Sequence, residues 1–174
     1  MVDIKNIDVA QILSEVEVLR RRPQNCELQL SLQKVDDEQY VKEIQNSTRS
    51  DIEKELMINA AQTAFIFDMP YTNSILHKLG MYRSRLLNMM PKTCYSYHTD
   101  PTMRIHIPLI TDENNFFVID DIVTRYPADG SYYLIDTTKK HTFVNASHIE
   151  RLHIVGCISN DIDTTQWTPF GRPG

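Results

Sequence analysis

Two residues near the middle of the chain, His98 and Asp100, have the types and the spacing of a metal-binding pair. On a β-strand, residues i and i+2 project to the same face, so this imidazole and carboxylate can bind one ion together. A third ligand must come from elsewhere in the chain, and His141 is the candidate. Two histidines and one carboxylate form the facial triad of non-haem iron(II) oxygenases. The residues therefore predict an iron(II) site in which all three are metal ligands and catalytic residues.

Arg151 follows His141 by ten residues, on the next predicted strand. An arginine placed there can hold the far carboxylate of a dicarboxylic cosubstrate through a bidentate pair. The alternative is a surface ion pair, for instance with Glu150. An H-x-D pair alone often arises by chance. Arg151 strengthens the prediction, because a carboxylate-binding residue together with the three metal ligands forms one consistent site.

Five further polar residues each allow two interpretations. Arg104 and His106 are two residues apart, so both face a cavity together or both belong to an outward polar face. Asp136 precedes His141 and either orients a ligand imidazole or caps a turn. His148 and His153 are rival distal ligands; for His153 we favour a hydrogen-bonded structural role, because it lies two residues beyond Arg151 on the same predicted face.

The elements that would position these residues are short and β-rich. From about residue 83 the segments are rich in Val, Ile, Tyr, Phe and Thr, with turn signals at Asp100-Pro101 and at 127–130. Even spacing of this kind favours an all-β sandwich or barrel, either a jelly roll or an immunoglobulin-like sandwich. The predicted strands are RLLNMM, CYSYH, RIHIPLIT, NFFVID, IVTRYP, SYYLID, HTFVN and RLHIVG.

The first 82 residues predict mixed structure. Residues 8–20 have the apolar spacing of an amphipathic helix, and 26–35 alternate as a strand does. Residues 36–49 are polar and predict a connection. Ser50 and Glu53 form a capping box that opens a helix through about Ala64. Residues 69–75 predict a turn, and Ser74 begins a short helix that ends near Met81.

Composition excludes several classes of function. The net charge of −5 argues against nucleic-acid binding. No apolar run approaches the roughly 20 residues that span a bilayer, and the acidic N-terminus does not resemble a secretory signal, so we expect a cytoplasmic protein without membrane partners. Three cysteines without a CxxC pair argue against a disulfide framework or a thiolate zinc site. Nothing in the sequence indicates an oligomeric state.

The segment MMPKTCYSYHTDPTMRIHIPL resembles the aspartyl/asparaginyl β-hydroxylase family of Fe(II)/2-oxoglutarate-dependent dioxygenases. The similarity covers about residues 83–155, and the N-terminal 80 residues add nothing to it. The matching positions are Pro91 seven residues before His98, the run His98-Thr99-Asp100-Pro101-Thr102 against a family H-T-G-P-T, Arg104-Ile105-His106 against Arg-x-His, Gly130 with His141, Asp136, and Arg151.

The resemblance implies a mainly β fold with flanking helices, a double-stranded β-helix or cupin-like jelly roll. We accordingly divide a single domain, 1–174, into an N-terminal support region (1–82), a jelly-roll catalytic core (83–158) and a C-terminal tail (159–174) that lies over the barrel or frays. It also implies Fe(II), 2-oxoglutarate and dioxygen as cofactor and cosubstrates. The expected activity is hydroxylation of an unactivated C–H in a small amino acid or a peptidyl substrate.

The resemblance also implies roles for individual residues. Arg151 would bind the C5 carboxylate of 2-oxoglutarate, while Arg104 and His106 would lie near its C1 carboxylate and the substrate. Two positions depart from the family. Asp100 stands where the resembled hydroxylases have glycine, so it is either an iron ligand or an outer acid. Leu87 replaces a serine that contacts 2-oxoglutarate, so the far carboxylate would depend more on Arg151, or on a hydroxyl such as that of Tyr95 or Thr138.

Two other functions fit the same residues. One is a non-catalytic, cupin-like module that binds a small acid in the same cavity. The other is a cupin-type isomerase or hydrolase that uses zinc or manganese.

Overall fold

Two antiparallel β-sheets pack against each other in the β-rich part of the chain. The computed structural model describes residues 6–20, 29–159 and 161. The larger sheet has the order β1 (Gln29–Ser31), β4 (Tyr82–Met89), β11 (Arg151–Cys157), β6 (Arg104–Ile110) and β9 (Tyr133–Ile135). The smaller sheet has the order β5 (Thr93–Cys94), β10 (His141–Asn145), β7 (Asn115–Ile119) and β8 (Ile122–Thr124). This arrangement confirms the predicted mainly β, cupin-like fold.

Four helices and a small two-stranded sheet complete the described structure. The helices are α1 (Val9–Arg20), α2 (Glu38–Gln45), α3 (Asp51–Ala60) and α4 (Pro70–Lys78), and the small sheet pairs β2 (Gln33–Lys34) with β3 (Ala64–Phe65). The first helix is confirmed, and so are the predicted strands after residue 83 except CYSYH, of which only Cys94 lies in a strand, β5, while His98 makes an isolated bridge to His141. The N-terminal region also supplies β1 to the larger sheet. Of the predicted tail, only Ser159 and Asp161 lie within the described residues.

The prediction of a connection over residues 36–49 is wrong, because α2 forms there. Its N-cap is Asp37, whose side chain accepts a hydrogen bond from the backbone N–H of Tyr40. Ile44 is buried and fixes one face of the helix to the rest of the fold. A good cap and one buried anchor outweigh the polar composition of this segment.

The other two helices were predicted with the wrong limits. The capping box of Ser50 and Glu53 is present, but α3 ends at Ala60 rather than near Ala64. The predicted turn over residues 69–75 is wrong, because α4 already begins at Pro70. Proline is favoured in the first helical turn, where its missing N–H would have no helical partner in any case.

Side-chain alternation gives the larger sheet two different faces. On β6 and β11, every second residue points towards the helices and joins the main apolar core. Those residues are Ile105, Ile107, Leu109, Leu152 and Ile154, all of them at most 3% exposed. The residues between them point towards the smaller sheet, where they meet Phe117 and Phe143 of a second apolar cluster. Four of the predicted residues, Arg104, His106, Arg151 and His153, belong to this inner face.

None of the helices in the described part of the chain has the length and apolar character to cross a membrane.

Candidate metal centre

His98, Asp100 and His141 come together at one end of the space between the two sheets. One ligand atom from each residue lies within 4.8 Å of the others. The backbone sets this arrangement. His98 and His141 exchange two backbone hydrogen bonds, with N···O distances of 3.0 and 2.9 Å, and the N–H of Asp100 donates to the carbonyl of Thr137 at 2.8 Å. The three residues that the sequence analysis selected as ligands therefore form one cluster.

Both histidines are held in the tautomer that suits a metal ligand. Nδ1 of His98 lies 2.7 Å from the carbonyl oxygen of Ser96, and Nδ1 of His141 lies 2.9 Å from that of Lys139. A carbonyl oxygen only accepts, so each Nδ1 carries the proton and donates it. In the neutral rings Nε2 then keeps its lone pair, as a ligand nitrogen must.

The two carboxylate oxygens of Asp100 lie against different residues, Arg104 and His141. Oδ1 accepts from the guanidinium of Arg104, while Oδ2 lies 3.4 Å from Nε2 of His141 and accepts no hydrogen bond from any described group. Burial alone would raise the pKa of Asp100. The imidazole of His141, in its protonated form, and the positive charge of Arg104 outweigh burial and lower the pKa of Asp100 below its usual value. The carboxylate is therefore ionised at neutral pH.

The short distance between Nε2 of His141 and Oδ2 of Asp100 is favourable only with a cation between the two atoms. Both atoms are buried and neither has a hydrogen-bond partner among the described groups. With Nδ1 protonated, two lone pairs face each other across 3.4 Å, which is unfavourable unless a proton or a metal ion lies between them. Two imidazole nitrogens and one carboxylate oxygen are the donor set of the non-haem iron(II) triad, so the residues fit that ion.

Arg151 lies deeper, on the inner face of β11, and is 2% exposed. The surface ion pair considered from the sequence does not form, because Glu150 pairs with Arg20 instead. Arg151 forms no ion pair with any described residue, and its Nη1 has no hydrogen-bond partner among them. Its Cζ lies 5.3 Å from the ring centroid of Phe143. Burial lowers the pKa of Arg151 to about 9, so the side chain stays charged at neutral pH. A buried cation without an anion is costly, and an anionic ligand would relieve this cost.

Two neutral histidines extend from Arg151 along the inner face. Nη2 of Arg151 donates to Nδ1 of His153 at 3.1 Å, and Nδ1 of His106 lies 3.4 Å from the same nitrogen. Burial, followed by the charge of Arg151, lowers the pKa of both rings well below the usual value. Since Nδ1 of His153 accepts, its proton must sit on Nε2, which is buried and unpaired within the described structure. His153 thus has a hydrogen-bonded role beside Arg151 and does not belong to the ligand cluster.

Of the remaining predicted residues, two lie at the site and two lie outside it. Arg104 lies beside Asp100, and His106 is 0% exposed on the inner face. The carboxylate of Asp136 accepts from the backbone and the hydroxyl of Thr138, so Asp136 caps a turn and does not orient His141. His148 is exposed and lies outside the cluster.

Neither hydroxyl proposed to compensate for Leu87 contacts Arg151. Thr138 donates to Asp136, and the hydroxyl of Tyr95 accepts a hydrogen bond from Gln29 at 2.7 Å. The residue opposite Leu87 on β11 is His153, which does contact Arg151.

A cleft of about 280 Å³ opens beside the ligand cluster. Its lining includes His98 and Asp100 together with Arg85, Leu87, Phe143 and Val155. Arg151 does not line it. Phe143 borders the cleft and also lies against Arg151 and His141. Sequence analysis missed Arg85, although its spacing of two residues from Leu87 on a predicted strand places both on one face.

A family profile described as aspartyl/asparaginyl beta-hydroxylase matches residues 10–159, most of the chain. The chain belongs to the aspartyl/asparaginyl β-hydroxylase family. The resemblance noted from the sequence is therefore confirmed, and it extends well into the N-terminal region that had shown no similarity. The description of this family is that of a hydroxylase. No curated protein sequence matches the chain.

Solved structures similar to this one are distant. They include a salicylate 1,2-dioxygenase from Pseudaminobacter salicylatoxidans (16% identity, 44% of this chain, 21% of that chain, TM-score 0.38). A cupin domain from Bordetella pertussis Tohama I shares 14% identity over 44% of this chain and 80% of its own, with a TM-score of 0.39. The DMSP lyase DddQ from Ruegeria pomeroyi DSS-3 shares 10% identity over 89% and 93%, with a TM-score of 0.39. The chain covers 21% of the salicylate 1,2-dioxygenase and 62% of each of two other similar structures, in each case less than two thirds of their length.

Proposed function

We propose that the protein is an Fe(II)/2-oxoglutarate-dependent dioxygenase that hydroxylates an unactivated C–H bond of a small amino acid or a peptidyl substrate. One observation carries the proposal: Nε2 of His141 and Oδ2 of Asp100 face each other at 3.4 Å, both buried and both without a hydrogen-bond partner among the described groups. In this proposal His98, Asp100 and His141 hold iron. The bound iron, with 2-oxoglutarate and dioxygen, supplies an oxidant strong enough to attack such a bond, and 2-oxoglutarate becomes succinate and carbon dioxide.

Arg151 supports 2-oxoglutarate as the cosubstrate. The cosubstrate is a dianion, and Arg151 is a buried cation that forms no ion pair within the described structure. A guanidinium binds a carboxylate through two parallel hydrogen bonds, so Nη1 of Arg151 would gain the acceptor it lacks. His153 would keep Nη2 in place through the hydrogen bond of 3.1 Å. Because Phe143 borders the cleft and its ring also lies against Arg151, we expect this ring to move when 2-oxoglutarate binds.

The other residues of the inner face would orient the site and keep water out. Arg104 holds one oxygen of Asp100, which leaves the other free for the metal. The carbonyls of Ser96 and Lys139 fix the two imidazole rings. Outer partners of this kind commonly change metal affinity or activity 10- to 100-fold when they are removed. Phe117 and Phe143, which are 1% and 4% exposed, form an apolar wall beside His141.

The test is succinate formation by iron-loaded protein with 2-oxoglutarate and dioxygen, measured in the presence of a panel of amino acids and short peptides. We expect wild-type protein to form succinate and His141→Ala to form none. The matched control is His148→Ala, which removes an exposed imidazole from the same part of the chain and should retain wild-type turnover.

Two other outcomes would assign the site differently. Tight iron binding without any succinate would favour the non-catalytic small-acid module, for which the unpaired cation of Arg151 is the supporting observation. Freshly purified protein that holds zinc or manganese and is inactive with iron would favour the isomerase or hydrolase.

A further inference from the structure

The cleft beside the metal centre carries a second cationic group, separate from Arg151. Arg85 lies on the inner face of β4, opposite Val155 of β11 and Ser31 of β1. Its guanidinium makes one hydrogen bond among the described residues, from Nη1 to Oε1 of Gln29 at 2.7 Å. Its Nε is buried without a partner, and no described carboxylate forms an ion pair with it. Arg85 therefore keeps donors available beside the cleft that contains His98 and Asp100.

Arg83 also lines this cleft and adds to its positive charge. It lies at an irregularity in the backbone of β4. From Val155 to Cys157 strand β11 advances two residues, whereas the paired stretch of β4, from Arg85 to Tyr82, spans three. The extra residue forms a bulge in β4, and Arg83 in this bulge has a φ of 51°. A non-glycine residue in this region is uncommon, and such residues cluster at binding sites and active sites. The bulge brings Arg83 to the cleft lining without an ion pair to any described residue.

The charges along the cleft favour an anion. Arg83, Arg85 and Arg104 face only two carboxylates, and Asp100 is already bound to Arg104. The second carboxylate, Glu55, is exposed at the rim. Burial and the nearby charges of Arg104 and Arg83 lower the pKa of Arg85, which reflects repulsion that a bound anion would relieve.

The rest of the lining limits the ligand to a small, partly apolar molecule. Leu87, Phe143 and Val155 provide an aliphatic and aromatic surface in the cleft that Arg85 and His98 also line. A volume of about 280 Å³ lies just below the usual range for ligand pockets, about 300–1,000 Å³, and suits a molecule of amino-acid size.

From these observations we propose that Arg85, with Arg83 at the entrance, binds the carboxylate of a small aliphatic acid and presents its carbon chain to the metal centre across Leu87, Val155 and Phe143. This rests on the proposed function, because it makes that acid the substrate to be hydroxylated. A peptidyl aspartate also carries a carboxylate, so it is the small volume of the cleft, together with Arg85, that selects a free acid over a peptidyl side chain.

The first test measures binding at Arg85 directly. Protein labelled with ¹⁵N-arginine, loaded with zinc(II) and saturated with 2-oxoglutarate, is titrated with butyrate and with butyramide, its neutral counterpart. The Nε–H signal of Arg85 is assigned by its loss in Arg85→Gln. We expect a saturable shift with butyrate only, while the signal of the exposed Arg49 stays unchanged. No saturable shift, or an equal shift with butyramide, would overturn the proposal.

The second test measures turnover with free amino acids, their C-terminal amides and N-acetyl-aspartyl amide. We expect free acids to stimulate succinate formation and the other two groups not to. Arg85→Gln should raise the half-saturating concentration of the acid roughly 10- to 100-fold, as expected for the loss of a hydrogen bond to a charged group. Arg85→Lys should recover part of this loss, and Arg49→Gln should behave as wild type.

The outcomes separate this proposal from the function on which it rests. Stimulation by N-acetyl-aspartyl amide alone would show a peptidyl substrate and overturn the small-acid assignment. An increase in the KM for 2-oxoglutarate in Arg85→Gln would show that Arg85 binds the cosubstrate instead. If wild-type protein forms no succinate at all, the proposed function fails, while a butyrate-specific shift at Arg85 would still establish the anion site.

Discussion

The two faces of the larger sheet belong to the same strands but hold different kinds of buried side chain. Along β11, Leu152 and Ile154 are fully buried in the apolar core beneath the helices. Between and beside them, Arg151 and His153 are almost as buried but face the smaller sheet, where Nη1 of Arg151 and Nε2 of His153 have no described partner. Burial alone therefore does not distinguish structural residues from functional ones. The distinguishing feature is a buried polar atom without a partner.

This contrast has an energetic consequence. The helix-facing side chains stabilise the fold by leaving water, whereas the inner face holds charges whose desolvation is only partly compensated. We therefore expect substitutions on the two faces to separate stability from binding. The following predictions test that separation, beginning with the largest expected effect.

Removing a metal ligand should abolish iron retention and leave the fold intact. We expect His98→Ala to lower iron affinity by more than about 100-fold, because even outer partners of metal ligands contribute 10- to 100-fold. Metal analysis after gel filtration measures iron content, and urea unfolding of the metal-free protein measures stability. His148→Ala is the control and should keep its iron. Wild-type iron content in His98→Ala would show that the ion is held elsewhere.

Replacing the buried arginine should weaken the cosubstrate site without weakening the protein. Arg151→Met should raise the dissociation constant of 2-oxoglutarate at least roughly 30-fold, since breaking a buried charge pair costs about 2–5 kcal/mol. The free energy of unfolding should stay constant or rise, because an unpaired buried charge is removed. Calorimetric titration and urea unfolding give the two values, with Arg49→Met as control. A large loss of stability with normal binding would make Arg151 a structural residue.

A substitution on the helix-facing side of the larger sheet should lower stability without weakening binding. Ile154→Ala should lower the free energy of unfolding by about 2–5 kcal/mol, the usual loss for truncating a buried isoleucine. Iron and 2-oxoglutarate binding should be unchanged at temperatures where the variant is folded. The exposed Val123 offers a control, since Val123→Ala should change stability by less than about 0.5 kcal/mol. Weakened iron binding in folded Ile154→Ala protein would show that the two faces are coupled.

The neutral histidines of the inner face should make stability depend on pH. Burial and the charge of Arg151 lower the pKa of His106 and His153 in the folded state. Below about pH 6.5 the unfolded chain then binds more protons than the folded one, so stability is lost as pH falls below that value. Each histidine contributes a slope of up to about 1.4 kcal/mol per pH unit.

Urea unfolding of metal-free protein between pH 7.5 and 5.5 measures that slope. His153→Gln should flatten it, and His148→Gln should leave it as in wild type, because His148 is exposed. An identical slope in His153→Gln and wild type would contradict a buried, neutral His153.

Much of this arrangement is predictable from short-range patterns. The residue types and spacing of His98 and Asp100 predict a pair of neighbouring ligands, and the structure shows their ligand atoms together with that of His141. The strand on which that prediction relied does not form there, and backbone hydrogen bonds to His141 and Thr137 position the two residues instead. The strands after residue 83 follow from β-branched and aromatic content between turn signals. The capping box at Ser50 also predicts the start of α3 correctly.

The remaining features depend on contacts between distant parts of the chain. α2 owes its anchor to the burial of Ile44, which a polar composition does not reveal. The hydrogen bond of Arg151 to His153, and the absence of a described carboxylate beside Arg151, require knowledge of what lies across the sheets. The exposure of Arg85 to the cleft likewise depends on its pairing with β1 and β11.

The most direct test of the central claim is an anaerobic titration of the protein with Fe(II) and 2-oxoglutarate, followed by visible absorption. Chelation of iron by 2-oxoglutarate in the site of His98, Asp100 and His141 predicts a weak charge-transfer band that saturates at one iron per chain. The band should be absent in His141→Ala and unchanged in His148→Ala. No band in the wild type, or a band that persists in His141→Ala, would contradict the account.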